Sequence, residues 1–197
     1  MTGDAANPLR SASEEVRAVN PLIRATIIGV SAVAVVVVAR AHWQNPIVAI
    51  GLAGLLAVGG LLSVIDYDQH RLPNRIVGPL AAAVTIAVIA GGLWTDDLGR
   101  SGRSLLFGLG AAAFLLIGNL IGGLGMGDVK YAFPLAAALG WFGSEPVLTW
   151  AFVTAVVGGL VGLAVIVSGQ GRRYRIPYGP FMTIGLFVGL LSAAPGL

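Results

Sequence analysis

The sequence contains no cysteine among its 197 residues, and only 11% of its residues are charged. The lack of cysteine excludes disulfide bonds, cysteine-based zinc sites, iron–sulfur clusters and thiol nucleophiles. A soluble domain carries about 25% charged residues, and roughly half of that fraction cannot cover a water-facing surface of this size. With 56% hydrophobic residues and a mean hydropathy of +0.87, the composition excludes an ordinary cytosolic domain and a disordered chain. It indicates a polytopic membrane protein.

Histidine is also scarce, and the excess of positive charge is small. The two histidines, His42 and His70, lie far apart in the sequence, so we expect neither a metal site nor a cofactor. A net charge of +3 and a pI of about 9.8 would suggest nucleic acid as a partner of a soluble protein. Here the twelve Lys and Arg residues are spread over short loops, so membrane topology explains them and nucleic acid is not expected.

Seven apolar stretches account for most of the chain. A helix that crosses a bilayer needs about 20 largely apolar residues, and six stretches approach this length: Ile23–Ala39, Pro46–Ile65, Ile76–Trp94, Leu105–Gly123, Val147–Val167 and Gly179–Pro195. A seventh, Tyr131–Phe142, is shorter and either crosses with help from its flanks or re-enters on the same side. The pattern predicts an all-α, polytopic membrane helix bundle with six to seven transmembrane segments. Residues 1–22 are predicted to be a polar cytoplasmic tail, and residues 23–197 an integral membrane domain.

The distribution of positive charge predicts the orientation, because cytoplasmic loops are enriched in Lys and Arg. If the N-terminus is cytoplasmic and all seven stretches cross, nine of the twelve basic residues lie inside, and Arg40, Arg100 and Arg103 lie outside. If Tyr131–Phe142 does not cross, the split becomes six to six. The bias favours a crossing by Tyr131–Phe142. The membrane is expected to be the cytoplasmic (inner) membrane. The same topology places all four tryptophans at the outer interface: Trp43, Trp94, Trp141 and Trp150.

Three of the nine acidic residues are unusual in their position. Asp66, Asp68 and Asp128 lie at the inner ends of apolar spans, whereas the other six lie in the tail or in outer loops, where solvation explains them. Carboxylates at membrane depth are costly, and they usually face a bundle interior or a water-filled cavity. The alternative is that these three are ordinary helix-end residues in a headgroup loop.

The sequence around Asp66 ends one span and begins another. Pro73 cannot continue a helix and biases Leu72 towards extended backbone. The span is therefore expected to end in a polar loop, with a new helix from about Ile76. An aspartate after an apolar span, a proline seven residues on and then Asn or Asp resembles a motif of the prepilin peptidases, or type IV leader peptidases. Asp66, Pro73 and Asn74 match this motif of membrane aspartic proteases.

The sequence around Asp128 carries the second motif of that family. Gly125 and Gly127 flank one residue before Asp128, and such glycines let backbone approach backbone closely. With Lys130 they match the family's G-x-G-D-x-K motif completely. A softer match is Ile176-Pro177-Tyr178-Gly179-Pro180-Phe181, before the last span. The resemblance covers roughly residues 46–195.

The resemblance implies that Asp66 and Asp128 are the catalytic residues. Two neighbouring carboxyls tend to share one proton and can activate water without a metal or a covalent intermediate. Asp68 is the local rival of Asp66, but it lies five rather than seven residues before Pro73 and is expected to be wetter, so we favour Asp66. Lys130 either helps to position the two aspartates or marks the cytoplasmic side.

The resemblance also implies the substrate. This is a type IV or Flp-type prepilin or pseudopilin with a short basic leader that faces the cytoplasm, a cleavage point usually after glycine, and a hydrophobic helix beyond. Long family members carry a cytoplasmic domain with cysteine pairs that is linked to N-methylation. Because this sequence has no cysteine, N-methyltransferase activity is not expected. The chain resembles the short, peptidase-only branch associated with Flp/Tad-type pili, to which archaeal preflagellin peptidases are similar.

Three other functions are compatible with the same residues. A proton-coupled transporter or proton channel would use Asp66 and Asp128 as relay groups, because intramembrane acids often mark ion pathways. A presenilin-like or signal-peptide-peptidase-like enzyme would cut within a substrate's membrane helix, although the Pro73-Asn74 continuation favours the prepilin group. A non-catalytic assembly subunit would keep the motifs without the activity.

Overall fold

The computed structural model describes residues 21–41, 46–121, 124–168 and 177–194, which form seven α-helices and no strand. The helices are α1 (Pro21–Ala41), α2 (Pro46–Gln69), α3 (Asn74–Trp94), α4 (Leu98–Ile121), α5 (Met126–Gly140), α6 (Ser144–Val167) and α7 (Gly179–Ser192). Each overlaps one of the predicted apolar stretches, so the prediction of an all-α, polytopic bundle is confirmed. Most of the predicted tail, residues 1–20, lies outside the described residues, as do His42 and Trp43.

Five of these helices are long and apolar enough to cross a membrane: α1, α2, α3, α4 and α6. The chain is therefore a multi-pass membrane protein. Helices α5 and α7 have only 15 and 14 residues, which at 1.5 Å per residue corresponds to about 20 Å each. These two short helices supply much of the buried core, through Tyr131, Leu135 and Leu139 on α5 and Met182, Leu186 and Leu190 on α7.

The two ends of the bundle differ in character. We call one the aspartate end, where Asp66, Asp128 and Gly179 meet. The other is the tryptophan end, which holds Trp94 and Trp141. At the tryptophan end, Arg100 stacks over the Trp141 ring at 4.5 Å, and its Nε donates a hydrogen bond to the Trp141 carbonyl at 2.8 Å.

Short as it is, α5 connects the two ends. It begins beside Asp66 and ends beside Arg100, which lies near the start of α4. Along the way, the Ser104 hydroxyl of α4 donates to the Ala137 carbonyl of α5 at 2.5 Å. Helix α5 therefore runs antiparallel to α4 from one end to the other. This is the course expected of a crossing segment rather than of a re-entrant one.

Helix α2 continues past its predicted end at Ile65 as far as Gln69, so Asp66 and Asp68 lie in its last turns and not in a loop. Asp68 is anchored there by Arg24 of α1, whose Nη2 lies 2.6 Å from Oδ2 and whose Nε donates to Oδ1 at 3.1 Å. The chain leaves the helix at His70, which has the left-handed φ of 50°. Pro73 is the N-cap of α3, which begins at Asn74 rather than near Ile76.

Two further expectations differ from the structure. Helix α4 begins at Leu98 and not at Leu105, because the Asp97 carboxylate accepts the Arg100 backbone N–H at 2.8 Å and so satisfies the first turn. Trp150 was expected at the outer interface, but it is 3% exposed and its Nε1 donates to the Met182 carbonyl of α7 at 3.1 Å. Trp94, by contrast, is 92% exposed, as an interfacial residue would be.

Candidate active site

A cavity of about 270 Å³ lies at the aspartate end, and both Asp66 and Asp128 line it. Asp66 comes from the last turns of α2 and Asp128 from the first turn of α5. Their exposed fractions are 4% and 9%, so each carboxyl is buried apart from its access to the cavity. The structure thus brings together the two residues that the sequence motifs single out, although 62 positions separate them in the chain.

Asp66 is held by the N-terminus of α7. The Gly179 backbone N–H donates a hydrogen bond to Asp66 Oδ2 at 2.8 Å, and this bond is buried. A Cβ on residue 179 would lie 2.9 Å from that oxygen and 3.1 Å from the Asp66 Cβ, so only glycine allows this approach. An N–H at a helix N-terminus stabilises a carboxylate by both its hydrogen bond and the local dipole.

Asp128 is held by its own motif. The Gly125 backbone N–H donates to Asp128 Oδ2 at 3.1 Å, across the start of α5. Gly127 allows close packing instead. A Cβ on residue 127 would lie 2.9 Å from the Leu72 Cβ, in the loop that follows Asp66. The two glycines of G-x-G-D therefore position the carboxyl and let the two aspartate segments pack against each other.

Asp66 and Asp128 are both buried, and their charges act on each other across the site. The Gly125 hydrogen bond favours the ionised form of Asp128, and the charge of Asp66 disfavours it. Burial raises the pKa of Tyr178, which precedes α7, and the charge of Asp128 adds to that effect. The two carboxyls therefore interact electrostatically, which favours one shared proton between them.

Each carboxyl is held through one of its two oxygens. The backbone hydrogen bonds engage Oδ2 of Asp66 and Oδ2 of Asp128, and both residues line the cavity. Two carboxyls on one cavity, each with an oxygen outside these backbone hydrogen bonds, can serve water activation and carbonyl protonation.

The other predicted residues take supporting places. The Lys130 Nζ donates to Asn74 Oδ1 at 3.1 Å, and both residues line the cavity. This bond joins the two sequence motifs across its edge. Asp68 does not line the cavity, and its paired side chain is 11% exposed. Asp68 is partly exposed whereas Asp66 is buried, and of the two it is Asp68 that is paired with Arg24.

Some cavity residues were missed or discounted from the sequence. His70 and Arg71 looked like solvated loop residues; both are exposed, but both also line the cavity. Gly179 was seen only as part of the softer C-terminal match, and nothing in the sequence links its N–H to Asp66. The described residues include no group of three or more His, Asp or Glu side chains that could hold a metal ion.

An apolar groove of about 610 Å³ lies beside the cavity, and Asn74 and Lys130 line both. Its other walls come from α3, α4 and α5, with Val77, Gly78, Ala81, Leu109, Ala112, Val129 and Phe133. Helices α3 and α4 touch at the tryptophan end, where the Ser101 hydroxyl donates to the Val88 carbonyl at 2.7 Å. Between them, α5 forms the floor of the groove towards the aspartate end.

Comparison with known proteins gives a consistent result. Residues 50–163, which include both aspartates, match the model of the type IV leader peptidase family. Two curated proteins from Burkholderia pseudomallei, strains 1026b and K96243, are named prepilin leader peptidase/N-methyltransferase. Each is 30% identical over 151 residues, covering 75% of this chain and 48% of the relative. The chain thus spans about half the length of the curated relatives it matches. No solved structure gives a significant match.

Proposed function

The chain belongs to the type IV leader peptidase family, and on that premise we propose that it is a membrane aspartic endopeptidase that removes the leader from type IV or Flp-type prepilins or pseudopilins. One observation carries this proposal: Asp66 and Asp128 are buried, face one cavity and are each held by a single backbone N–H. Asp66 and Asp128 are the proposed catalytic residues. Gly125, Gly127, Pro73, Asn74 and Lys130 support them, and Asp68 anchors the end of α2.

The proposed reaction uses the two aspartates as one unit that carries one proton. The ionised carboxyl takes a proton from water, and the water oxygen attacks the scissile carbonyl carbon. The protonated carboxyl donates a hydrogen bond to the carbonyl oxygen as negative charge develops there. A proton then passes to the leaving amine, and the C–N bond breaks. The fixed Oδ2 atoms leave each Oδ1 available for these transfers.

We propose that the aspartate end faces the cytoplasm, with the N-terminus on the same side. Arg24 and Lys130 lie at this end, through their contacts with Asp68 and Asn74. Arg100 lies at the tryptophan end. This distribution agrees with the nine-to-three bias in the sequence and with the enrichment of basic residues in cytoplasmic loops. A leader in the cytoplasm would then reach the cavity directly.

The apolar groove is the proposed place for the hydrophobic segment that follows the cleavage point. It meets the catalytic cavity at Asn74 and Lys130. From Asn74 to Ala81 it follows α3 for two turns, or about 10 Å. Small residues on its walls, Gly78, Ala81 and Ala112, allow a helix to approach closely, as in other membrane helix pairs.

The proposal covers the peptidase step and not N-methylation. Methylation in the family is associated with a cysteine-pair domain. This sequence contains no cysteine. Mass spectrometry of the cleaved product tests this directly: an unmethylated new N-terminus is expected in the presence of a methyl donor.

The purified full chain, reconstituted in liposomes with a panel of type IV and Flp-type prepilins, tests the function. We expect cleavage at a single bond between the leader and the hydrophobic helix, mapped by mass spectrometry. Cleavage within the hydrophobic helix would instead indicate a presenilin-like enzyme. Proton flux that depends on Asp66 and Asp128, without cleavage of any precursor, would indicate a transporter and contradict the proposal.

A further inference from the structure

Directly beneath the two aspartates lies a cluster of three buried hydroxyl groups, on Ser63, Tyr131 and Thr183. The Tyr131 and Thr183 oxygens lie 3.1 Å apart, and the Ser63 hydroxyl lies 2.9 Å from that of Thr183. We call these residues the hydroxyl cluster. They are buried on three different helices, α2, α5 and α7.

Each residue of the hydroxyl cluster lies one helical turn from a group of the proposed catalytic site. Ser63 lies three residues before Asp66 on α2, Tyr131 three residues after Asp128 on α5, and Thr183 four residues after Gly179 on α7. Residues three or four apart share one face of a helix, one turn removed. Each of the three elements that build the site therefore carries one member of the cluster, one turn deeper in the bundle.

Thr183 is the hub of this arrangement. Its hydroxyl lies 3.0 Å from the Gly179 carbonyl and 3.2 Å from the Gly59 carbonyl of α2, so it can donate to either. The Ser63 hydroxyl is 2.8 Å from the same Gly59 carbonyl. Because carbonyls only accept, Thr183 donates to one of them while its oxygen accepts from Tyr131. The α2 and α7 backbones are thus joined one turn from the bond between Gly179 and Asp66.

The packing leaves little room for another arrangement. A Cβ on residue 59 would lie 2.8 Å from the Tyr131 oxygen and 3.1 Å from the Thr183 methyl group. Gly59 therefore admits both side chains to the space between the helices. A hydroxyl network that is fully satisfied in a dry interior fixes the relative position of the groups that carry it.

From this one-turn spacing and these hydrogen bonds we infer that Thr183, with Ser63 and Tyr131, positions the two aspartates. It holds α2, α5 and α7 at the relative depth at which the Gly179 N–H contacts Asp66 and at which Asp66 and Asp128 line one cavity. The inference rests on the proposed function, because its consequence is read in peptide cleavage. None of the three side chains contacts the reacting atoms; they act through the helices.

The test compares Thr183→Val, Thr183→Ser and Tyr131→Phe in liposomes with the best-cleaved prepilin of the panel. Thr183→Val removes the hub at nearly constant volume, and Thr183→Ser restores the hydroxyl. We expect Thr183→Val to lower kcat by about 10- to 100-fold, the scale on which small misplacements act, with KM changed less than about 3-fold. Tyr131→Phe is expected to have a smaller effect in the same direction, and Thr183→Ser near wild-type kcat.

The pH dependence of kcat/KM distinguishes a displaced Asp66 from a general loss of helix packing. Asp128, His70 and Tyr131 are the titratable groups that interact electrostatically with Asp66. Thr183→Val leaves Asp128 and His70 unchanged but removes the hydrogen-bond partner of Tyr131, and Tyr131→Phe controls for that loss. If Gly179 N–H moves away from Asp66, the ionised form loses support and the acidic limb of kcat/KM moves to higher pH. Thr154→Val is the matched control: Thr154 is also buried, but its hydroxyl faces the Phe181 carbonyl at 3.5 Å, between α6 and α7.

Two results would overturn the inference. One is a Thr183→Val enzyme with wild-type kcat and pH profile. The other is equal loss of kcat in Thr154→Val and Thr183→Val without a shift of the acidic limb. If Thr183→Val does not fold, the Tyr131→Phe enzyme provides the test. An unchanged kcat and pH profile in Tyr131→Phe would then overturn the inference. The proposed function fails separately, if Asp66→Asn still cleaves.

Discussion

The Gly179 N–H and the Asp66 carboxylate meet at 2.8 Å, although 113 positions separate them in the sequence. The contact joins the start of α7 to the end of α2 and leaves no space for a side chain on residue 179. It ties the softer C-terminal match of the sequence to the motif that begins with Asp66. It also fixes one oxygen of a carboxyl that lines the cavity.

Replacing Gly179 by alanine should displace the Asp66 carboxylate. The new Cβ would lie 2.9 Å from Oδ2 and 3.3 Å from the Asp66 Cγ, so the carboxyl must rotate or α7 must move. We expect kcat to fall by about 10- to 100-fold. The control is Gly159→Ala on α6, where a Cβ meets nothing within 4 Å. Equal activity of the two variants in the liposome cleavage assay would show that the contact is not required.

Replacing Asp68 by asparagine should leave catalysis intact. Asp68 is paired with Arg24 and lies outside the cavity. The Arg24 side chain is 40% exposed, so loss of the pair should cost no more than about 1 kcal/mol. We expect kcat within about 3-fold of wild type, because no proton-transfer group is lost. A loss comparable with that of Asp66→Asn would make Asp68 the catalytic partner of Asp128.

The pH dependence of cleavage should be bell-shaped, because the pair works with one carboxyl ionised and one protonated. The protonated carboxyl is needed to donate to the scissile carbonyl, so kcat/KM should fall at high pH, where the shared proton is lost. At low pH, protonation of the second carboxyl removes the base, and kcat/KM should fall again. A kcat/KM profile for the liposome reaction that lacks either limb would contradict a pair that shares one proton.

Filling the apolar groove should weaken substrate binding without affecting chemistry. Ala81→Trp projects a large ring into the groove beside Gly78. If the hydrophobic segment of the prepilin lies there, KM should rise about 10-fold, which corresponds to about 1.4 kcal/mol. Ala83→Trp is the control, since Ala83 is exposed on α3 and does not line the groove. Unchanged KM in Ala81→Trp would remove the groove from the substrate path.

The helices were predictable because apolar length is a strong signal in a membrane chain. Which side of each helix faces the protein core was not predictable. Trp150 packs against α7 and Trp94 is exposed, yet the core and the lipid are both apolar environments. Hydropathy therefore cannot tell a lipid-facing residue from a core one. The same limit hid the hydroxyl cluster, because Thr183 looks like any polar residue in an apolar run until its partners on α2 and α5 are known.

The part of the candidate site that belongs to the two sequence motifs was predictable. Asp66 and Asp128 could be chosen because each ends an apolar span, and the resemblance supplied their pairing. The Arg24–Asp68 pair could not be foreseen, since 44 positions separate the two residues and no helical spacing relates them. The pair lies at the end of α2, where the sequence predicted a loop.

The most direct measurement is the single-turnover rate of prepilin cleavage by Asp66→Asn and Asp128→Asn in liposomes, with Asp68→Asn measured alongside. Both catalytic variants should insert and fold like the wild type, because asparagine keeps the shape of the side chain. Each should lose at least about 10³-fold in rate, on the scale of a removed general acid or base. Asp68→Asn should cleave at nearly the wild-type rate. Cleavage by either catalytic variant within about 10-fold of wild type would contradict the aspartate pair as the catalytic centre.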